Sequence, residues 1–269
     1  MKALFFSDLD GTFLDFDNYC CNESMNGLEL LKERSIPLIF ISSKTFDEML
    51  IIAKELDLNY PFSFENGAGL AYPSGGRGGY SIELEGPGLD GLLRFIPILE
   101  NLLVNKLRPI TSLSVYELMV ITKLSAESAL RAKNRKTTLP FIVDGEGLLS
   151  DAEVNRINIF LQDYSLTVIK GGRFNHLIPS DSKKGSAVKK IIEFYRRRFN
   201  ADILTASAGD SQSDMPMFES TDFSYIIRRP DGSFIDYEKG NIMKSPGPAG
   251  FSEAVYDFIN ARLIYGDVK

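Results

Sequence analysis

The stretch 2–12, Lys-Ala-Leu-Phe-Phe-Ser-Asp-Leu-Asp-Gly-Thr, constrains this chain more than any other. The apolar run Ala3, Leu4, Phe5, Phe6 reads as a buried strand. It stops at two carboxylates one residue apart, Asp8 and Asp10, and Gly11 then permits a sharp turn. In an open parallel sheet, ligands bind just beyond the carboxyl ends of the strands. Both acids are therefore expected in a cleft. Two acids this close repel unless something neutralises them, and Mg²⁺ is the common answer for carboxylates that handle phosphate. Taken alone, the string also suits a strand ending in a solvated acidic turn.

A chain of 269 residues has room for about two domains. Its 44% hydrophobic and 25% charged content is that of a globular protein. A net charge of −6 argues against a nucleic-acid partner, which calls for a basic face. It leaves room for an anionic substrate held by a few local cations. The two cysteines, Cys20 and Cys21, are adjacent and read as free thiols of a reducing compartment. The apolar run after Lys2 breaks at Asp8, so no signal peptide is read, and no segment is apolar enough to span a membrane. A cytoplasmic protein without a membrane partner is expected.

The pattern then alternates. A helix capped by Asn22 or Ser24 runs to about Arg34, with Leu28, Leu31 and Ile36 facing the core. A strand over 36–41 ends at Ser42, Ser43, Lys44 and Thr45. A helix over 46–57 and a strand over 61–65, ending at Asn66, follow. Strand, helix, strand, helix, strand predicts an α/β fold with a doubly wound, mostly parallel, Rossmann-like sheet. The glycine-rich segment 73–79 lacks the spacing of a phosphate loop and reads as a hairpin or connecting loop. From about 85 to 179, helices near 91–103, 115–124, 126–136 and 152–163 mix with short strands near 139–143, 166–169 and 174–178. This predicts an α+β domain at 85–179 inserted into a core made of 1–84 and 180–269. A helix capped by Asp181 or Ser182 then runs over 183–199. A strand over 203–208 ends at Gly209 and Asp210, a strand covers 223–227, 246–250 reads as a loop, and a helix over 251–263 closes the chain.

If the sheet is parallel, Asp8, Asp10, Ser42, Asn66, Asp210 and Asp214 converge at strand ends, and the helix after the insert adds Lys184. Phosphoryl transfer needs a metal, an in-line nucleophile, and cations or donors around the equatorial oxygens. Each residue also has a plainer use: Ser42 as a helix cap, Lys184 on a solvated face, Asp210 and Asp214 as charges at a helix start. Jointly, Asp8-Leu9-Asp10-Gly11-Thr12, Ser42, Lys184-Gly185 and Gly209-Asp210-Ser211 with Asp214 resemble the four motifs of the haloacid dehalogenase-like phosphatases. The insert resembles their type IIB cap. The resemblance implies Asp8 as nucleophile and Asp10 as general acid and then base. It implies Ser42 and Lys184 on the phosphoryl oxygens. Mg²⁺ would lie on Asp8, the Asp10 carbonyl and Asp210, with Asp214 orienting or sharing that shell.

Finer features are Ser42-Ser43-Lys44-Thr45, Phe64-Glu65-Asn66-Gly67-Ala68-Gly69-Leu70, Gly171-Gly172-Arg173-Phe174-Asn175-His176 and Pro246-Gly247-Pro248-Ala249-Gly250-Phe251. Together they resemble the mannosyl-3-phosphoglycerate phosphatase subfamily. That resemblance implies a small phosphorylated sugar-glycerate substrate, contacted by Ser43, Lys44, Asn66 and Arg173; His176, beside Arg173, reads as a further substrate contact, with a structural strand residue as the plainer use. A guanidinium such as that of Arg173 can grip a carboxylate bidentately. The segment 103–136 aligns with no cap motif residue by residue. Phosphatases of other sugar phosphates, such as glucosyl-3-phosphoglycerate or sucrose phosphate, stay open as alternatives. So do a phosphomutase and a silent phosphometabolite-binding protein.

Overall fold

The computed structural model describes residues 2–75 and 79–264. In chain order the elements are β1 (Lys2–Ser7), α1 (Met25–Glu33), β2 (Leu38–Phe40), α2 (Phe46–Glu55), β3 (Phe62–Phe64), β4 (Gly69–Pro73), β5 (Tyr80–Leu84), α3 (Gly88–Leu93), α4 (Ile96–Leu103), β6 (Leu107–Pro109) and α5 (Val115–Thr122). Then follow α6 (Ala126–Lys133), β7 (Leu139–Val143), α7 (Asp151–Leu161), β8 (Leu166–Lys170), β9 (Asn175–Pro179), α8 (Lys184–Phe199), β10 (Ile203–Gly209), α9 (Met215–Phe218), β11 (Phe223–Arg228), β12 (Asn241–Pro246) and α10 (Gly247–Asp257). Contacts divide the chain into two compact units. One holds Met1–Ser42, Tyr60–Ser63 and Lys183–Lys269, and the other Ser43–Asn59 and Phe64–Ser182.

In the first unit the sheet order is β12-β11-β10-β1-β2, every pair parallel. An all-parallel sheet is covered on both faces, so its central strands are continuous apolar runs. Leu4, Phe5 and Phe6 of β1 are accordingly buried. Phe5 meets Phe251 and Phe258 edge-on at 5.7 Å each, and Phe13 meets Phe251 at 5.0 Å. Burying each such ring contributes about 1.5–3 kcal/mol. Helix α1 packs on α10 so closely that a Cβ on Gly27 would lie 3.0 Å from the Phe251 ring. Leu28, Leu31 and Ile36 are buried, as the pattern predicts. The expected loop at 246–250 is instead the end of β12 and the first turn of α10. Pro248 fits there because the first turn of a helix leaves its N–H groups without helical partners anyway.

The second unit is built on an antiparallel sheet of order β6-β7-β9-β8. One face, carrying Leu139, Phe141, Val143, Val168 and Leu177, packs on Leu92, Leu99, Ile157 and Leu161 of the helices α3, α4 and α7. On the other face, Ile142 packs on Leu118 and Ala129 of α5 and α6. Helices α5 and α7 start at reciprocal capping boxes, Ser114 with Glu117 and Ser150 with Glu153. By contacts, 43–59 and 64–84 group with the inserted region. Helix α2 packs on α6. The buried Glu65 carboxylate accepts from the backbone N–H of Lys136, Thr137 and Thr138, at 2.7, 3.0 and 2.7 Å. The glycine-rich connection expected at 73–79 joins the antiparallel pair β4 and β5, and its residues 76–78 lie outside the described residues. Among the described residues, no helix is long and apolar enough to cross a membrane.

Candidate active site

Each catalytic candidate sits at the carboxyl end of a parallel strand or at a helix start of the first unit. The ladder of β1 continues one residue beyond the strand, where the Asp8 N–H donates to the Ala208 carbonyl at 3.0 Å. Asp8 is thereby held, buried, at the strand end. The chain then closes on itself: Gly11 donates to Leu14, and Leu14 to Leu9, at 2.8 Å each. Gly11 has φ +85° and lies against Asp210, where a Cβ would sit 3.1 Å from the carboxylate carbon. Only glycine meets both conditions. Ser42 follows β2, is buried, and donates its N–H to Ser63. The cap of α2 is Thr45, in a box with Glu48, so the capping alternative for Ser42 falls away.

Lys184 opens α8 and is itself buried. Its ammonium donates to Asp8 Oδ1 at 2.7 Å and to Asp214 Oδ1 at 2.6 Å. The solvated-face alternative for Lys184 is thereby excluded. The expected caps Asp181 and Ser182 are replaced by Lys183, whose side chain makes no cap bond among the described residues. The start of α8 lies hard against α9: a Cβ on Gly185 would meet the Pro216 carbonyl oxygen at 2.1 Å. Asp214 is fully buried, and its Oδ2 accepts from the N–H and hydroxyl of Ser211 at 2.9 and 2.8 Å.

Asp8, Asp210 and Asp214 bring carboxylate oxygens within 4.8 Å of one another. Burial pushes the Asp8 carboxyl up, Lys184 opposes that, and the charges of Asp214 and Asp210 add to it. Burial likewise raises Asp210, reinforced by Asp214 and opposed by Arg229. The Lys184 ammonium is held above its ordinary range: burial works against its charge, but Asp214 and Asp8 outweigh it. Three hard oxygen donors with a surplus of buried negative charge suit Mg²⁺. Asp10 lies beside Asp8 on the turn and is half-buried.

The remaining predicted residues belong to the second unit. The Ser43 carbonyl accepts from Arg135 Nη1 at 2.9 Å, and the Lys44 carbonyl from the Glu65 N–H at 2.8 Å. Asn66, at φ +62°, follows Glu65 at φ +51° in a left-handed turn that asparagine tolerates well. His176 stands opposite Pro140 on β9, half-buried. Its buried Nδ1 has no hydrogen-bond partner among the described residues. Burial, with help from the charge of Arg135, pushes the imidazole down to about 3, so it is neutral at pH 7. Arg173 is exposed on the turn between β8 and β9, where Gly171 donates to Phe174. Sequence reasoning missed Arg135, Glu65 and Arg229. For Arg229 a signal existed: it follows the end of a predicted strand, the rule that found the aspartates.

A haloacid dehalogenase-like hydrolase family model matches residues 5–80. A glucosyl-3-phosphoglycerate/mannosyl-3-phosphoglycerate phosphatase of Persephonella marina is 31% identical, covering 95% of this chain and 96% of its own. A protein of the same name from Methanococcoides burtonii is also 31% identical, covering 96% and 98%. In fold, the chain resembles the sucrose-phosphatase of Synechocystis, solved with sucrose and phosphate, at TM-score 0.59 and 16% identity over 96% of this chain and 98% of that one. The chain belongs to the haloacid dehalogenase-like hydrolases and is an enzyme of the phosphoric monoester hydrolase class.

Proposed function

We propose that this chain is a Mg²⁺-dependent phosphatase that releases phosphate from mannosyl-3-phosphoglycerate through an aspartyl-phosphate on Asp8. The observation that carries the mechanism is the buried Lys184 ammonium bridging Asp8 and Asp214, with Asp210 completing the carboxylate cluster. Lys184 holds one Asp8 oxygen and so orients the carboxylate. An oxygen of Asp8 attacks phosphorus, the ester P–O bond breaks, and Asp10 gives its proton to the leaving alkoxide. Asp10 then takes a proton from water, whose oxygen attacks phosphorus and frees Asp8. Ser42 and Lys184 donate to the phosphoryl oxygens. Asp8, the Asp10 carbonyl, Asp210 and Asp214 would hold Mg²⁺, which neutralises phosphoryl charge when bound.

We assign substrate selection to the inserted region 85–179, with Arg173 and His176 contacting the substrate and Ser43, Lys44 and Asn66 assisting. Arg173 suits the glycerate carboxylate; neutral His176 offers a hydrogen bond rather than a charge. The names of the two relatives couple the mannosyl and glucosyl compounds, so the glucosyl ester is the second reading. One hexose epimer differs from another by one or two hydrogen bonds. The Cys20 and Cys21 thiols suit a cytoplasmic setting.

The test is phosphate release with Mg²⁺ or EDTA from mannosyl-3-phosphoglycerate, glucosyl-3-phosphoglycerate, sucrose phosphate, mannose phosphates and 3-phosphoglycerate. The highest kcat/KM is expected on mannosyl-3-phosphoglycerate, lost in EDTA and in Asp8→Asn. A preference for sucrose phosphate would overturn the substrate. Turnover by folded Asp8→Asn would overturn the mechanism.

A further inference from the structure

Lys184 neutralises two of the three buried carboxylates, Asp8 and Asp214. The third, Asp210, is reached by a different cation: Arg229 Nε lies 3.4 Å from Asp210 Oδ2. Asp210 is almost wholly buried, whereas the Arg229 side chain is 44% exposed. The arginine thus enters the cluster from the solvent side.

Its delivery is built into the chain. β11 ends at Arg228, and the turn that follows is closed by the Arg229 N–H to the Ser233 carbonyl and the Gly232 N–H to the Arg229 carbonyl, both at 2.9 Å. Gly232 takes φ +81° there. The Asp231 carboxylate accepts from the N–H and hydroxyl of Ser233, at 2.9 and 2.6 Å. The neighbouring Arg228 is consumed by structure. It donates to the carbonyls of Met243 and Gly232 at 3.0 and 3.1 Å and lies 4.5 Å over the Phe234 ring. Of two consecutive arginines, one fastens the turn and the other reaches the carboxylate cluster.

The contact itself is weak. A strong arginine–carboxylate pair is bidentate, at about 2.7–2.9 Å. This one is given by a single nitrogen at 3.4 Å, on a half-exposed side chain. It is a contact that a divalent cation at Asp210 can displace, leaving the guanidinium charge nearby.

We propose that Arg229 is a positioning residue: a tethered cation that holds Asp210 in the metal-free enzyme, gives way to the divalent metal, and so sets the metal affinity. This rests on the reading of Asp8, Asp210 and Asp214 as the Mg²⁺ site. Its consequence has an unusual sign. A side chain that merely supported the turn would, when removed, disorder the site and weaken metal binding. A competing cation, when removed, strengthens it, because like charges near a doubly charged ion oppose its binding.

The experiment is titration calorimetry of the full chain with Mg²⁺ alone, without substrate, on wild type, Arg229→Gln, Arg229→Ala and Arg229→Lys. Thermal unfolding in EDTA and in saturating Mg²⁺ accompanies it. Arg229→Gln and Arg229→Ala should bind Mg²⁺ about tenfold more tightly than wild type, about 1.4 kcal/mol. They should melt lower in EDTA and gain more from Mg²⁺, and Arg229→Lys should stay within about threefold of wild type. Unchanged or weaker Mg²⁺ binding in both neutral variants, with wild type binding normally, overturns the assignment alone. A wild type that binds no Mg²⁺ overturns the metal reading and this assignment with it.

Discussion

Replacing Asp8 by asparagine should abolish turnover and, in EDTA, make the protein more stable. The cluster places carboxylate oxygens within 4.8 Å of one another. At an effective dielectric constant of about 20, two charges at that separation repel by about 3.5 kcal/mol, so Asp210 and Asp214 together oppose Asp8 by about 7. Lys184, at 2.7 Å from Asp8, returns about 6 kcal/mol on the same scale. Attraction and repulsion nearly cancel, and the desolvation of a buried carboxylate is left uncompensated. Asparagine keeps the shape and an acceptor for Lys184 but sheds the charge, giving up about 1–2 kcal/mol of charge-assisted bonding. A net stabilisation of about 1–3 kcal/mol is the expected balance at pH 8.5, where Asp8 is ionised. The pH dependence follows from the raised carboxyl, pushed up to about 8 chiefly by burial. The unfolded chain gives up this proton near its ordinary value of 3.8, and the folded chain keeps it until about 8. Wild-type stability is therefore lost as pH rises through that window, and the asparagine advantage grows with it. Urea unfolding in EDTA at pH 5, 7 and 8.5 reads the effect directly. In saturating Mg²⁺ the order should reverse, since wild type then uses Asp8 as a ligand. An Asp8→Asn protein less stable than wild type in EDTA at pH 8.5, or a difference flat with pH, would refute the charge-crowding argument.

Gly185→Ala places a methyl group 2.1 Å from the Pro216 carbonyl oxygen. It should cost about 1–3 kcal/mol in urea unfolding and lower kcat more than it raises KM, because Lys184 moves with the helix start. Glu65→Gln turns an amide donor toward N–H groups and the Thr138 hydroxyl, which now donates at 2.8 Å. The loss should be about 3 kcal/mol by urea unfolding, and a change within 0.5 kcal/mol would refute the tie between Glu65 and 136–138. His176→Asn should flatten the acid limb of stability. The folded imidazole takes its proton only near pH 3, the unfolded one near 6.5. Protons therefore favour the unfolded wild type as pH falls between those values, and an unchanged slope of Tm against pH in the variant would remove His176 as the cause.

How much of this was legible in the sequence depended on where each contact is written. Buried parallel strands announce themselves, because both faces must be apolar; β1, β2 and β10 read as runs, and the polar residues that end them were found for that reason. β12 and the three-residue β6 were missed because neither carries a run or a clean alternation. The start of α10 was hidden by Pro246 and Gly247, residues that signal a break unless they fall on a first turn. The site divides the same way. Asp8 and Asp10 share one turn, but the partner that holds Asp8 lies 176 residues away, and only motif order pointed to Lys184. Arg229 shows where local reading ends. Arg228 and Arg229 are the same residue type on the same strand end, and nothing local separates the arginine that lies over Phe234 from the one that reaches Asp210. What separates them is tertiary: Arg228 donates to the Met243 carbonyl of β12, whereas Arg229 reaches Asp210 just beyond the end of β10. Charge balance at a buried site is a property of the assembled sheet, so the residues that tune it are the last to become visible in a chain read alone.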